Sequence, residues 1–326
     1  MKSFWDGKKV LVTGGTGFVG SHAVEELLRR SPRARITVAD KVLRPENLPG
    51  LSREVKLVRA DLRCYDDCLR VCRGQDVVLN LSARVAGVGY NQAHHGTMFR
   101  DNMLLSLNML EAARVRGVER FLVVSSACVY ARSCPIPMAE ADGFLDRPER
   151  TNEGYGWAKR MAEFQAAAYR CEFGMKLAVV RPINAYGPRD HFDREDCHVI
   201  AALIRRVVGG ENPIRVWGDG TQTRSFLYVE DFARGLLDVT QRYCECDPVN
   251  LGSDEEVTIR DLAGMIRDGA GSRASLLFDA GRPAGQPRRF CSTAKAREAA
   301  GFSARIGLAE GLRRTIAWYR ARERTA

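Results

Sequence analysis

No stretch of the chain approaches the roughly 18 uninterrupted apolar residues that a bilayer crossing needs. Residues 1–9 also lack the apolar core that a secretory leader carries, so a cytosolic protein is expected. Low-complexity runs and internal repeats are missing, which excludes a disordered chain and a repeat solenoid. Only five histidines are present, and the ten cysteines form no pair of CxxC motifs, so no zinc pattern can be assembled and no metal is expected. Cys64, Cys68 and Cys72 recur every four residues, one stripe on a helix. The thiols are expected to be reduced and mostly buried, with Cys128 set apart for the reason given below.

What is present suits one large or two closely packed domains: 326 residues, 45% hydrophobic and 28% charged, bury a sizeable core. The net charge of +10 calls for an anionic partner, and nucleic acid, a membrane surface or a phosphorylated small molecule would each satisfy it. The densest basic cluster, Arg313, Arg314, Arg320, Arg322 and Arg324, reads as a solvated helix face.

Residues 9–13, KVLVT, form an apolar run of strand length, followed at once by a glycine-rich turn and a helical stretch to about residue 30. Further strands at 34–39, 55–59, 77–81 and 121–125 alternate with helical segments, the longest at 97–115. That alternation predicts an α/β fold, a Rossmann-type doubly wound parallel sheet. Beyond residue 180, short strands near 214–216 and 225–229 mix with helices near 201–208, 230–243, 259–268 and 308–322. Residues 1–180 are therefore expected to be a dinucleotide-binding domain. Residues 181–326 are expected to form a smaller mixed α/β C-terminal domain, mostly for substrate binding, with some segments returning to the sheet.

Gly14, Gly17 and Gly20 stand in GxxGxxG spacing between the first strand and its helix, which Phe18 and Val19 open. Glycines let the backbone approach a pyrophosphate, and the helix N-terminus supplies N–H donors and a favourable dipole. Asp40 ends the second strand, where a carboxylate accepts from ribose hydroxyls and repels a 2′-phosphate, so NAD is expected rather than NADP. Tyr155 and Lys159 are four apart and share a helix face, so the ammonium is expected to lower the phenol's pKa. With Ser126 at the end of the preceding strand, such a trio moves a proton while a nicotinamide takes a hydride.

On these motifs the sequence resembles the extended short-chain dehydrogenase/reductase family of nucleotide-sugar enzymes, over nearly the whole chain. Ala60, Asp61 and Leu62 match its adenine side, and Asn80 to Ala83 its nicotinamide floor. The segments 181–188 and 224–231 match as well. The resemblance implies that Asp61, Leu62, Leu81, Ala83 and Asn102 attend the cofactor. It also implies that Asn184 and Arg224 hold a nucleotide diphosphate, joined by Arg288 after the Gln286-Pro287 turn. Gly87, Val88 and Gly89, in a glycine-rich loop, and Arg206, Trp217 and Gln222 complete the implied substrate set. For Trp217, stacking on a base and filling a core are both open.

Cys128, two residues after Ser126, resembles the cysteine of two branches, GDP-mannose 3,5-epimerase and GDP-L-fucose synthase, which implies a base beside a 4-ketosugar. His198 matches the acid of the fucose synthase, where the plant-type epimerase carries a lysine. The loops at 82–90 and 216–226 lean toward the epimerase. The implied reaction is inversion of GDP-mannose at C5, or at C3 and C5, through transient C4 oxidation by bound NAD, giving GDP-L-gulose or GDP-L-galactose. The resemblance extends to the sugar epimerase of bleomycin-type antibiotic pathways. Two alternatives stand beside it. One is a GDP-4-keto-6-deoxy-hexose 3,5-epimerase/4-reductase. The other is an inactive NAD-sensing, nucleic-acid-binding regulator, against which the intact Ser126, Tyr155 and Lys159 argue. The expected partner is a GDP-sugar, with no nucleic acid and no membrane, and the family habit implies a homodimer through the helices at 97–115 and 155–172.

Overall fold

The computed structural model describes residues 3–192, 197–281 and 285–325. Strand β1 (Lys9–Thr13) is rich in Val and Leu and almost wholly buried, as a central parallel strand covered on both faces must be. The glycine turn leads into α1 (Phe18–Arg30), β2 (Arg35–Asp40), β3 (Lys56–Arg59), α2 (Tyr65–Cys72) and β4 (Val77–Asn80). Next come α3 (Val88–Ala93), α4 (His95–Val115), β5 (Arg120–Val124), α5 (Glu153–Phe173) and β6 (Lys176–Pro182). Helix α5 stops at Gly174, whose left-handed φ of 65° turns the chain while its N–H closes on Arg170 O.

The remaining chain makes shorter elements. β7 (Ala185–Tyr186), α6 (Val199–Val208), β8 (Ile214–Trp217), β9 (Thr223–Ser225), β10 (Leu227–Tyr228) and α7 (Val229–Arg242) come first. They are followed by β11 (Val249–Leu251), β12 (Glu256–Thr258), α8 (Ile259–Gly269) and β13 (Leu276–Asp279). The last are β14 (Arg288–Arg289), α9 (Ala294–Ala300) and α10 (Leu308–Thr325).

Seven strands form the main sheet in the order β11-β6-β5-β4-β1-β2-β3, every pair parallel. This is the doubly wound α/β architecture that the alternation predicts. The order reverses between β1 and β4, which opens a crevice at the carboxyl ends of those strands, where such sheets bind ligands. On one face Val24, Leu27, Phe232 and Leu236 of α1 and α7 pack onto Val10 and Val12. On the other face Val71, Met109, Ala113 and Ala166 of α2, α4 and α5 pack onto Leu11 and Phe121. Each large apolar side chain so buried contributes about 1.5–3 kcal/mol. A separate core joins α6, α8 and α10 through Ile204, Leu262, Ile266 and Leu312.

One expected strand is broken. Instead of running through 225–229, the chain changes sheets at Phe226: β9 pairs with β12 and β14, whereas β10 pairs with β7, and Val229 already begins α7. The thiols divide as well. Cys68 and Cys72 are buried on α2 and burial pushes both up to about 12, but Cys64 and Cys171 are exposed. On α10, Arg313 and Arg314 both donate to Glu310 at the surface. No helix among the described residues is long and apolar enough to cross a membrane.

Candidate active site

The cofactor end is built from backbone. Gly14 has φ +64°, and a Cβ there would lie 3.3 Å from the Leu81 carbonyl; a Cβ at Gly20 would lie 2.1 Å from Gly14 O. The turn and the first turn of α1 thus pack with no room for side chains. No side chain caps α1 and no acid stands in its first turn, so its N–H donors and positive dipole end are presented to an anion. A dinucleotide pyrophosphate fits this cradle. Asp40 lies where β2 enters the crevice, one carboxylate oxygen accepting from Thr16 Oγ1 at 2.8 Å. Phe18 packs edge-on against His22 one turn along α1, and Val19 packs partly buried against the core.

Two residues expected at the cofactor are otherwise engaged. The Asp61 carboxylate accepts two hydrogen bonds from the Arg63 guanidinium, at 2.9 and 2.6 Å, and a third from the Arg63 N–H at 3.2 Å, with Lys41 at 3.6 Å; the Arg63 bonds hold it well below the usual carboxylate range. Asn102 is 1% exposed. It accepts from Arg84 N–H and donates to the carbonyls of Arg84 and Met98, which ties the chain after β4 to α4. Leu62 is buried, and Leu81 and Ala83 follow β4 as partly buried residues beneath the glycine turn.

At the end of β5 the structure brings Ser126, Cys128, Tyr155 and Lys159 together. Ser126 opens a short 3-10 turn and its hydroxyl accepts the Cys128 N–H at 3.1 Å. Tyr155 and Lys159 rise from the first turns of α5, with Lys159 Nζ 5.5 Å from the Tyr155 ring centre and donating to Val124 O at 2.8 Å. Gly156 allows the approach, since a Cβ there would stand 2.6 Å from Cys128 O. The electrostatics differ from the expectation. Burial pushes the Tyr155 phenol above its ordinary value, the neighbouring Cys128 adding to the effect and a hydrogen bond with Ser126 opposing it. Burial pulls Lys159 down to about 8, against the pull of Cys128 and Glu163. Desolvation is the largest cause at both groups and runs against the lowered phenol pKa that the spacing suggests.

Opposite this group stands the cap. Strands β9 and β14 pair in parallel with Arg289 beside Arg224 and Arg288 beside Thr223. Arg289 Nη2 approaches Cys128 Sγ at 3.5 Å, and its Nε is buried with no hydrogen-bond partner among the described residues. Arg288, expected at the diphosphate, instead makes an exposed two-toothed bridge to Glu256 at 2.8 and 2.7 Å. Neighbouring strand residues point to opposite faces, so only one arginine of the pair can enter the site, and the register selects Arg289. Burial, with the neighbouring Arg289 adding, brings Arg224 down to about 10. For Arg289, burial opposes the charge, but Cys128, Cys291 and Glu149 outweigh it and its pKa rises. Two partly buried guanidinium groups side by side suit a doubly charged anion.

The other cap residues vary in their placement. Asn184 sits at φ +28° and donates to Ser225 O at 2.8 Å. Gln222 is 5% exposed with Oε1 unsatisfied among its protein neighbours. Trp217 ends β8 at 48% exposure, so it does not fill a core. Arg206 is tied to Glu211 and to the carbonyl of Arg215. Gly87 precedes α3, and a Cβ at Gly89 would meet nothing within 4 Å. The side chain of Val88 lies outside the described residues. His198 precedes α6 with Nδ1 3.3 Å from the Asp190 carboxylate. Sequence reasoning missed Arg289, Glu149 and Asp190. The tandem Arg288-Arg289 was a visible signal for the first; the other two carry none without the fold.

The fold and the serine–tyrosine–lysine group together define the class: an NAD-dependent enzyme of the extended short-chain dehydrogenase/reductase type. The chain belongs to the NAD dependent epimerase/dehydratase family, whose model matches residues 10–252. It is 34% identical over 329 residues to a dTDP-4-dehydro-6-deoxy-D-allose reductase from a Streptomyces species, covering 98% of each chain. It is 32% identical to GDP-mannose 3,5-epimerase 1 of Oryza sativa subsp. japonica, covering 97% of this chain and 83% of that one. Among solved structures, UDP-glucose 4-epimerase of Thermus thermophilus in complex with NAD superposes with a TM-score of 0.81 at 29% identity, covering 96% and 99% of the two chains.

Proposed function

We propose that the protein is a nucleotide-sugar epimerase acting on GDP-mannose, inverting C5, or C3 and C5, to give GDP-L-gulose or GDP-L-galactose. The observation that carries this reading is the meeting at Cys128 of the Ser126–Tyr155–Lys159 group and the partly buried Arg289–Arg224 pair. Residues 1–180 hold the cofactor and most of 181–326 hold the substrate. Arg224, Arg289 and Asn184 grip the diphosphate, and Trp217 and Gln222 meet the base. NAD, when bound, supplies the transient hydride acceptor for C4. Tyr155 takes the C4 hydroxyl proton while Ser126 holds the same oxygen, and Lys159, below the ring, carries a compensating charge. The resulting ketone acidifies the neighbouring C–H bonds, and Cys128 and His198 exchange the C5 or C3 proton from opposite sides. The guanine base is the finer part of the reading, since relatives are named for dTDP and UDP sugars as well as GDP sugars. A homodimer through α4 and α5 belongs to the same reading; their outer faces expose Phe99, Leu107 and Phe164.

The experiment is incubation with GDP-mannose in deuterated water without added cofactor, read by NMR. Label at C5, or at C3 and C5, is expected, and no label at either carbon with GDP-mannose shown to bind would sink the reading. A second reading, a 4-reductase, is favoured by the allose reductase likeness and by the GDP-L-fucose synthases among the relatives. Stoichiometric consumption of NADH or NADPH with a 4-keto-6-deoxy sugar nucleotide would select it.

A further inference from the structure

We propose that Asp190 is the positioning residue for His198, and that a clamp centred on Arg189 fastens the pair to the cofactor helix. This deepens the reading above and rests on its assignment of proton transfer to His198.

The segment from Gly187 to Asp190 is an unusual piece of backbone. Gly187 has φ +151° and Arg189, though not glycine, has φ +68°. A side chain in that region costs on the order of 1 kcal/mol unless its surroundings compensate. Here they do. The Arg189 side chain is 9% exposed, and both terminal nitrogens donate to the Glu25 carboxylate, at 2.8 and 2.6 Å. Nη1 also reaches Asn47 O at 2.5 Å, and the guanidinium lies against the His22 ring, with Nη2 2.7 Å from Nδ1. The His22 ring contacts Pro188 O at 3.1 Å. His22 and Glu25 belong to α1, the helix that begins at the glycine turn, so the loop is pinned to the element that receives the dinucleotide. Glu25 is partly buried, which alone would raise its pKa, yet the bonds from His22 and Arg189 bring it down to about 2.

The next residue is Asp190, whose side chain is 2% exposed. One carboxylate oxygen accepts the His191 N–H at 2.7 Å, and the other lies 3.3 Å from His198 Nδ1. A carboxylate held in place at Nδ1 selects the tautomer with the proton on Nδ1 and fixes the ring plane, which makes Nε2 the atom that transfers protons. His198 stands at the start of α6, its side chain 44% exposed. Asp190 fixes the Nδ1 side of the ring, and the Arg189 clamp ties Asp190 to the cofactor side.

Nitrogen NMR of the His198 ring in the intact protein is the direct measurement. An Nδ1–H tautomer is expected, shifting toward a mixture in Asp190→Asn; an Nε2–H tautomer in the unaltered protein would overturn the proposal whatever the reaction proves to be. The second arm is turnover with GDP-mannose in deuterated water. Asp190→Asn should lower solvent exchange at C5 about 10²-fold, within the range for general acid–base groups. Formation of the reduced nicotinamide absorbance and KM for GDP-mannose should stay within about two-fold, and Asp190→Glu should recover part of the exchange. Unchanged exchange in Asp190→Asn, or exchange and C4 oxidation falling together, would contradict the positioning role. Absence of exchange in the unaltered protein would refute the epimerase reading alone, leaving the tautomer to decide the role of Asp190.

Discussion

Ser126, Cys128, Tyr155 and Lys159 stand at the ends of a five-residue strand and a 21-residue helix, while Arg224 and Arg289 stand on strands of three and two residues. On the sheet side, regular periodicity fixes where side chains point, and a spacing of four on α5 is enough to place Lys159 beneath Tyr155. On the cap side, direction depends on which residue pairs with which. A slip of one position there turns a side chain from the site to solvent. The difference between Arg288 at 51% side-chain exposure and the buried Nε of Arg289 is the outcome of that register.

The largest effects are expected on the sheet side. Gly20→Ala drives a methyl group into Gly14 O and the Gly15 Cα, contacts of 2.1 and 2.7 Å that backbone cannot relieve. The purified variant should retain no dinucleotide, measured by chromatography of the released nucleotide. Gly89→Ala, where a Cβ meets nothing within 4 Å, should retain it fully. Equal losses in the two variants would contradict the close packing of the glycine turn. Tyr155→Phe comes next, with turnover down about 10³-fold and melting temperature and sugar-nucleotide affinity little changed.

A smaller effect lies on the seam between the regions, where Glu25 of α1 holds Arg189. Its folded pKa of about 2 lies below the ordinary 4.5, so the stabilisation is fully present above pH 4.5 and is lost as pH falls toward 2. The Glu25 side chain is about a third exposed, so solvent screens the pair and the contribution is modest. Glu25→Gln should flatten the acid limb of a stability-against-pH curve between those values, followed by circular dichroism. An unaltered limb would place the acid sensitivity elsewhere.

Much of the fold was legible because its signals are local and periodic. The first five sheet strands follow from alternating apolar runs and helices, and the cofactor cradle from three glycines between a strand and a helix; β6 went unread beside them. The return of β11 to the sheet edge rests on three residues, too few to announce themselves. Desolvation was illegible as well: spacing shows that Lys159 can reach Tyr155, but burial decides that the phenol is pushed up. Asp61 shows another effect that spacing leaves out, since Arg63, two residues on, also donates to the carboxylate that the motif assigns to adenine.

Register sets Arg289 beside Arg224 and within 3.5 Å of Cys128, and in the proposed function these two arginines hold the diphosphate. Calorimetric titration of GDP into the unaltered protein, Arg289→Ala and Arg288→Ala tests that role. A charge-assisted hydrogen bond contributes about 1.5–3 kcal/mol, so Arg289→Ala should weaken GDP at least about ten-fold. Arg288→Ala, which removes an exposed bridge to Glu256, should stay within about two-fold. The reverse order, with Arg288→Ala the damaging change and Arg289→Ala neutral, would contradict the account.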